Sequence, residues 1–205
     1  MKPDGFEYYE YIFCYVEDVL CISHNPQKLM NRIQGDFNLK YDKIETPGIY
    51  LRAALANMKL KSGNYCWNMS PEQYVKAAVT NIEEDLARSG KILLLKCVPS
   101  LLRNYAPWLE DSPELMADGV QQYQELIGKL RWAVDIGRLG IMLEKLLVSN
   151  YLAMPRVGHL KQAFHIFGYL KVHSKRKLGF DPVHPAISKN SFQQCDWTYF
   201  YRAGE

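Results

Sequence analysis

The chain has 205 residues, of which 48% are hydrophobic and 23% charged, and its formal net charge at pH 7 is +3. This composition provides enough apolar side chains for a sizeable core, which argues against a disordered chain. A net charge this small does not by itself indicate nucleic-acid binding. No apolar run reaches the ~20 residues that a membrane-spanning helix needs, and the N-terminal residues lack the apolar core of a signal peptide.

The cysteine pattern bears on the compartment. The chain has five cysteines, an odd number, and no Cys-x-x-Cys pair. This pattern argues against a disulfide framework and against a zinc ribbon. We therefore expect an intracellular protein, cytoplasmic or nuclear. The lack of a long apolar run predicts no membrane partner.

The first predicted element is a hairpin with two acidic residues between its strands. Two apolar runs, residues 11–16 and 19–22, flank Glu17 and Asp18. This is hairpin spacing, so the sequence predicts two buried strands with both carboxylates at the tip. Two acids this close repel each other unless a cation lies between them, which indicates a Mg²⁺ site. Alternatively, both are ordinary turn residues that keep the tip solvated.

The next predicted elements are a short helix and further strands. Asn25 and Pro26 provide a cap and a first helical residue, and the apolar spacing that follows predicts an amphipathic helix. The alternation beyond it predicts strands at residues 41–44, 49–55, 58–60 and 65–69. Together with the hairpin, we expect them to form one small antiparallel sheet.

From residue 70 the pattern changes to helices. The segment 70–73 is predicted to be a capping box that opens a helix ending at Ser89-Gly90. On this helix the acidic trio 83–85 diverges around the axis, which predicts a solvated face and not a metal cluster. Residues 91–118 contain three prolines, so we expect a connecting loop with one short strand.

Helical spacing resumes at residue 120. It predicts two helices that are broken near Gly137 and Gly140, then a break at 155–158 and a final helix. Between residues 151 and 191 there are seven Lys or Arg residues against one acid, Asp181. Such a region is either a phosphate-facing surface or a solvated face.

Several motifs resemble one family of proteins. The segment Tyr15-Val16-Glu17-Asp18 resembles the Tyr-x-Asp-Asp box of reverse transcriptases, and the chain resembles the copia-type LTR retrotransposon branch of that family. The supporting blocks follow in the order of the family: Tyr50-Leu51; Trp67-Asn68-Met69-Ser70 with Gln73-Tyr74-Val75; Tyr123-Gln124-Glu125-Leu126-Ile127-Gly128 with Leu130-Arg131-Trp132; and Pro155-Arg156 with Gly158-His159-Leu160.

The resemblance implies a fold and a division of the chain. The fold is expected to be α+β, with a small antiparallel palm-like sheet that carries the hairpin, followed by a helical thumb and connection subdomain. Residues 1–69 correspond to a partial palm with primer-support strands, and 70–174 to the thumb and connection. Residues 175–205 correspond to a linker towards a ribonuclease H domain.

The resemblance also implies the chemistry, which is two-metal nucleotidyl transfer by an RNA-directed DNA polymerase. Asp18 matches the second Asp of the box and Glu17 replaces the first, so both are the expected catalytic and metal-binding residues. Misplacing a catalytic group by ~1 Å can cost ~100-fold in rate. The family's third Asp lies far upstream of the box, and only fourteen residues precede Tyr15. We therefore expect a truncated fragment, inactive alone, that binds Mg²⁺ or Mn²⁺ weakly.

The expected partners are an RNA–DNA or DNA primer–template duplex and, in an intact element, the integrase and ribonuclease H domains of the polyprotein. The matched positions expected to contact nucleic acid are Tyr50, Leu51, Trp67, Arg131, Arg138, Arg156, His159 and Lys161. The chain departs from the family at Arg52, where Gly is usual, and at Gly140, where Asp is usual. The alternatives are a non-catalytic nucleic-acid-binding module and a structural or interaction domain.

Overall fold

The structure is a computed structural model, and it describes residues 9–16, 18–37, 44–93, 106–181 and 183. The described residues form these strands and helices: β1 (Tyr11–Tyr15), β2 (Asp18–Ile22), α1 (Pro26–Asp36), β3 (Ile49–Tyr50), β4 (Ala53–Lys59), β5 (Tyr65–Ser70), α2 (Glu72–Arg88), α3 (Ala117–Asp135), α4 (Met142–Ser149), α5 (Val157–Val172) and β6 (Leu178–Phe180). None of these helices is long and apolar enough to cross a lipid bilayer.

The predicted hairpin is present as the antiparallel pair β1–β2. Tyr15 pairs with Asp18, and Val16 leaves β1 after this last pair. Asp18 is therefore the first residue of β2, and the prediction that it lies at the tip is wrong by one position. Glu17 lies outside the described residues. Val16 has a φ of 51°, a left-handed conformation that a β-branched residue rarely adopts.

The hairpin strands are more exposed than predicted. All five residues of β1 are exposed, and the three central residues of β2 are half-buried. Within the described ranges, β1 and β2 form a two-stranded sheet of their own, and a separate four-stranded antiparallel sheet has the order β3-β4-β5-β6. The described strands thus form two sheets and not the one sheet predicted.

The predicted strand 49–55 is wrong, because a tight turn divides it into β3 and β4. Tyr50 pairs with Ala53, and the loop residues Leu51 and Arg52 have φ values of 51° and 64°. Two-residue hairpin loops need positive φ at these positions, where Asn and Gly are the usual residues. Leu and Arg give no such signal, so the turn was missed. Residues 41–43 of the predicted strand 41–44 lie outside the described residues.

Helices α1 and α2 begin in different ways. Asn25 caps α1 as predicted, since its side-chain oxygen accepts a hydrogen bond from the Lys28 N–H at 3.1 Å. Helix α2 forms where predicted and ends at Ser89-Gly90, but its capping box is wrong. Ser70 belongs to β5 and pairs with Ala54, so it cannot cap α2, which begins after Pro71 without a side-chain cap.

The core lies among the four helices α2 to α5. Their inward faces, with Leu93 after α2 and Ile141 just before α4, form the buried cluster Val75, Ala78, Val79, Ile82, Leu86, Leu93, Tyr123, Leu126, Ile127, Leu130, Ala133, Ile141, Val148, Ala163, Ile166, Phe167 and Leu170. The predicted break between α3 and α4 is confirmed, with Gly137 at a φ of 110°. This helical core provides the support on which the hairpin and the β-sheet present their side chains.

The connecting segment and the C-terminal segment are described in part. Residues 94–105 lie outside the described residues, so the short strand predicted within 91–118 is not tested over that range. A 3₁₀ turn covers Pro107–Leu109. In the segment 175–205, β6 pairs with β5 and adds a short edge strand to the sheet. The division of the chain into palm, thumb and linker stays a prediction.

Candidate metal and nucleic-acid site

The hairpin contacts the helical part of the chain through two aromatic rings. The Tyr15 ring at the end of β1 lies 5.8 Å from the Trp132 ring on α3, centroid to centroid, and the ring planes are tilted by 48°. Tilted aromatic pairs at this distance are attractive beyond the area that they bury. The Trp132 ring is half-buried and lies against the end of the hairpin strand.

The β3–β4 turn is the second neighbour of the hairpin tip. Burial raises the pKa of the Tyr50 phenol, and electrostatic repulsion from Asp18 and then from Cys14 raises it further. A carboxylate has this effect when it lies close enough to disfavour the phenolate. Tyr15, which pairs with Asp18, thus contacts Trp132 on α3. The charge of Asp18 in turn acts on Tyr50, so three separate sequence motifs are linked at this end of the hairpin.

Asp18 is an exposed carboxylate at the start of β2. Mg²⁺ in phosphoryl-transfer sites is held by one or two carboxylates together with substrate phosphates and water, so Asp18 fits the role of one such ligand. In the described part of the chain, no three His, Cys, Asp or Glu side chains come together as a metal-binding group. Glu17, which is predicted to bind the metal together with Asp18, lies outside the described residues.

The acidic trio on α2 has basic partners. The Glu83 carboxylate pairs with the Lys171 ammonium at 2.5 Å, and the Asp85 carboxylate pairs with the Arg88 guanidinium at 2.8 Å. The side chains of both pairs reach solvent, so they are surface ion pairs of the ordinary kind.

Three of the predicted nucleic-acid contacts are exposed, and they lie on different elements. Arg131 on α3 is 75% exposed in its side chain, with Asp135 one turn away at 4.0 Å. Lys161 is exposed on α5, and Trp67 is 38% exposed on β5. Leu51 is half-buried in the β3–β4 turn. Arg131 is the exposed cation nearest in sequence to Trp132, the residue that contacts the hairpin tip.

Arg156 and His159 instead hold the start of α5. The Arg156 guanidinium donates to the Ser112 carbonyl oxygen at 2.7 Å and pairs with Glu114 at 3.2 Å. The His159 Nδ1 accepts a hydrogen bond from the Arg156 N–H at 3.0 Å, which assigns the proton to Nε2, where it faces the Pro107 carbonyl oxygen at 3.1 Å.

His159 is 2% exposed and stacks on the Tyr151 ring at 4.0 Å. A side chain this enclosed cannot reach a duplex. The prediction that His159 contacts phosphate is therefore wrong, and its role is structural. Arg138 is also buried, at 5% exposed, and does not lie on an open surface. Its side chain instead lines a cavity together with Arg176 and Lys177.

Sequence reasoning missed the Tyr15–Trp132 contact and the grouping of Arg138 with Arg176 and Lys177. A ring pair between a strand and a distant helix leaves no periodic signal in a sequence. The grouping had a partial signal, which was the run Lys175-Arg176-Lys177 within the basic region. Only the fold brings that run next to the end of α3.

Comparison with known proteins gives one similarity. No family model matches the chain. No solved structure matches it. The chain is 25% identical over 160 residues to a Saccharomyces cerevisiae protein named "Putative transposon Ty5-1 protein", and this alignment covers 78% of the chain and 48% of the relative. The chain thus spans about half the length of the curated relative that it matches. This similarity supports a retrotransposon-related protein.

Proposed function

We propose that the chain is a fragment of a copia-type retrotransposon reverse transcriptase that binds a primer–template duplex but does not extend the primer alone. It comprises the C-terminal part of the palm together with the thumb and connection. The observation that carries this proposal is the contact of Tyr15 with Trp132 beside Asp18, together with the effect of the Asp18 charge on Tyr50, since these residues belong to three different motifs of the resemblance.

This meeting is informative because the three motifs are far apart in the chain. Neighbouring residues meet in any fold, but distant motifs meet only when the tertiary structure brings them together. A polymerase needs its metal-binding hairpin to lie next to the elements that hold the primer and the template. The contact of Tyr15 with Trp132 and the effect of Asp18 on Tyr50 agree with that requirement.

The metal-binding role rests on Asp18, with Glu17 as its companion in the matched box. A bound Mg²⁺ or Mn²⁺ would stabilise negative charge on phosphate oxygens. Glutamate carries its carboxylate one methylene further from the backbone than aspartate does. Because an error of ~1 Å in a catalytic position can cost ~100-fold, Glu17 is the reason we propose an inactive polymerase.

The duplex-binding role rests on exposed cations and one exposed aromatic residue. Arg131 and Lys161 have side chains that reach solvent, and Trp67 offers a partly exposed ring. Cations of this kind contact phosphates, and such contacts hold a duplex in register without reading its sequence. The proposed duplex binding is therefore independent of sequence.

A salt titration tests the proposal. The affinity of the purified chain for a fluorescent RNA–DNA duplex is measured by anisotropy at several salt concentrations. Log K is expected to fall linearly with log salt, and the double variant Arg131→Ala/Lys161→Ala should have a shallower slope, by roughly 0.9 for each contact removed. The matched control Lys61→Ala/Lys91→Ala removes the same charge from exposed positions on the β4–β5 loop and after α2. A wild-type chain that binds no duplex at low salt would sink the proposal.

A second candidate is a nucleic-acid-binding module in which the hairpin holds no metal. The exposure of Arg131 and Lys161 favours duplex binding without reference to Asp18. The two candidates differ in metal dependence. If the chain is the polymerase fragment, Mn²⁺ should bind the wild-type chain more tightly than it binds Asp18→Asn. If the chain is a binding module without a metal site, Mn²⁺ should bind both proteins equally.

A further inference from the structure

A small cavity lies where the end of α3, the residues after α5 and the start of β6 meet. Its volume is about 190 Å³, and it is lined by Gly137, Arg138, Leu139, Gly140, Tyr169, Arg176, Lys177 and Leu178. We name it the arginine cavity. We propose that the arginine cavity binds a phosphoryl oxyanion, with Arg138 at its floor and Arg176 and Lys177 at its rim.

The first argument is the condition of Arg138. It is 5% exposed, yet among the described residues its guanidinium makes one hydrogen bond, from Nη1 to the Arg176 carbonyl oxygen at 3.3 Å. A guanidinium carries five N–H donors, and leaving a buried charge without a counter-charge is expensive. The ion pairs found in the described part of the chain do not include Arg138. An anionic ligand would supply the counter-charge that the described residues do not.

The second argument is the sign of the surrounding charge. Burial lowers the pKa of Arg138; Tyr169 opposes this effect and the positive charge of Arg176 adds to it. The Arg176 guanidinium lies over the Tyr169 ring, 5.8 Å from its centroid. Two guanidinium groups and the neighbouring Lys177 thus face one cavity. Like charges held together favour a ligand of the opposite charge between them.

The third argument is shape and access. A single water molecule needs only about 10–15 Å³ of such space, so the cavity has room for a tetrahedral anion with its remaining waters. Arg176, Lys177 and Gly140 are exposed at the rim, which gives an anion a path from solvent to Arg138. Arginine presents a planar fork that binds phosphate through two parallel hydrogen bonds, and lysine adds a point charge. The shared chemistry is therefore a phosphoryl group.

Gly140 provides the sharpest variant, because it changes the cavity without removing a cation. A Cβ at Gly140 would meet no atom within 4 Å, and its φ lies outside the region that strains other residues. Gly140→Asp places a competing carboxylate at the rim of the cavity. Gly140→Asn has almost the same shape without the charge and is the matched control.

The full chain is titrated with pyrophosphate, and binding is measured by calorimetry and by the shift in melting temperature. The wild-type chain should show saturable binding, Gly140→Asn should retain it, and Gly140→Asp should lose at least tenfold in affinity. Arg176→Ala/Lys177→Ala should lose at least tenfold as well, whereas Lys61→Ala/Lys91→Ala should not. No saturable binding by the wild-type chain, or equal affinity in Gly140→Asp and Gly140→Asn, would overturn the inference.

A competition arm identifies the source of the phosphoryl group. If pyrophosphate displaces the RNA–DNA duplex, and Gly140→Asp weakens duplex binding, the cavity takes a backbone phosphate. If duplex binding is unaffected, the cavity takes a free phosphate or the phosphate chain of a nucleotide. Both results uphold the site. The pyrophosphate titration needs neither the duplex nor Asp18, so failure of the proposed function leaves this inference testable.

Discussion

The rings of Tyr15 and Trp132 join the β1–β2 hairpin to helix α3, with centroids 5.8 Å apart and planes tilted by 48°. Because all five residues of β1 are exposed, this contact is a restraint that β1 itself places on the orientation of the hairpin. The orientation of the hairpin in turn sets where Asp18 lies relative to Tyr50.

The ring contact predicts measurable coupling between the two side chains. In a double-mutant cycle with Tyr15→Leu and Trp132→Leu, the coupling in the free energy of unfolding should be about 0.5–1.5 kcal/mol. Urea denaturation measures it. The control cycle combines Tyr11→Leu with Trp132→Leu. Tyr11 lies on the same strand as Tyr15 and stacks on Phe13 at 6.2 Å. Equal coupling in both cycles would mean that the contact with Trp132 is not specific.

The β3–β4 turn predicts a stabilising substitution. Arg52 has a φ of 64°, and an L-residue with a side chain pays roughly 1–2 kcal/mol in this conformation, whereas glycine does not. After the entropy that glycine loses on folding, Arg52→Gly should raise the free energy of unfolding by up to about 1 kcal/mol. Arg52→Ala removes the same charge but keeps a Cβ, so it should give no gain. A gain of the same size in both variants would assign the effect to the charge.

The buried phenol of Tyr123 predicts a loss of stability at alkaline pH. Its hydroxyl donates to the Val148 carbonyl oxygen at 2.6 Å, and burial, then Tyr151, raises its pKa above the ordinary value of 10.0. A raised folded-state pKa stabilises the fold fully below pH 10, and this stability is lost as the pH rises above 10, because the unfolded chain releases the proton first.

The comparison with Tyr123→Phe isolates this effect. At pH 8 the variant should be about 1 kcal/mol less stable than the wild type, because it lacks the hydrogen bond. Between pH 10 and pH 11 that difference should shrink by about 1 kcal/mol. Tyr65→Phe, at a site that is 68% exposed, is the control and should show no such change. A difference that stays constant with pH would contradict the assignment to Tyr123.

His159 and Lys161 lie two residues apart on α5, and their variants should behave in opposite ways. His159→Ala loses two hydrogen bonds and the stacking on Tyr151, so it should destabilise the fold by about 3 kcal/mol. Lys161→Ala should leave the free energy of unfolding unchanged within about 0.5 kcal/mol and weaken duplex binding. Thermal denaturation and duplex anisotropy, measured on both variants, test this. If a folded His159→Asn variant bound the duplex more weakly than the wild type, His159 would be part of the duplex interface and its structural assignment would be wrong.

Much of the helical part was predictable from the sequence, and the reasons are local. The cap at Asn25, the stop at Ser89-Gly90 and the break at Gly137 are encoded by neighbouring residues, and all three are confirmed. The turn at Leu51-Arg52 was not predictable, because its residue types contradict the conformation that they adopt. The position of Asp18 was missed by one residue because the tip contains Val16, a residue typical of strands.

The sequence predicted which types of residue form the candidate site, but not which distant residues lie close together there. The pairing of acids at 17 and 18 indicated a metal, but no local pattern placed Trp132 against Tyr15. Arg138 and His159 were predicted to contact nucleic acid at the surface, because the sequence pattern does not distinguish a buried polar residue from an exposed one. Their burial depends on how α5 and the residues after it pack, which is tertiary information.

The most direct test of the account is Mn²⁺ binding at the hairpin tip, measured by electron paramagnetic resonance on the wild-type chain and on Asp18→Asn with an RNA–DNA duplex present. Asn has nearly the same shape as Asp but lacks the charge that a hard cation prefers. The account predicts weak, saturable Mn²⁺ binding by the wild-type chain, reduced at least tenfold in Asp18→Asn. Equal Mn²⁺ binding by the two proteins would contradict the claim that this hairpin is a polymerase metal site.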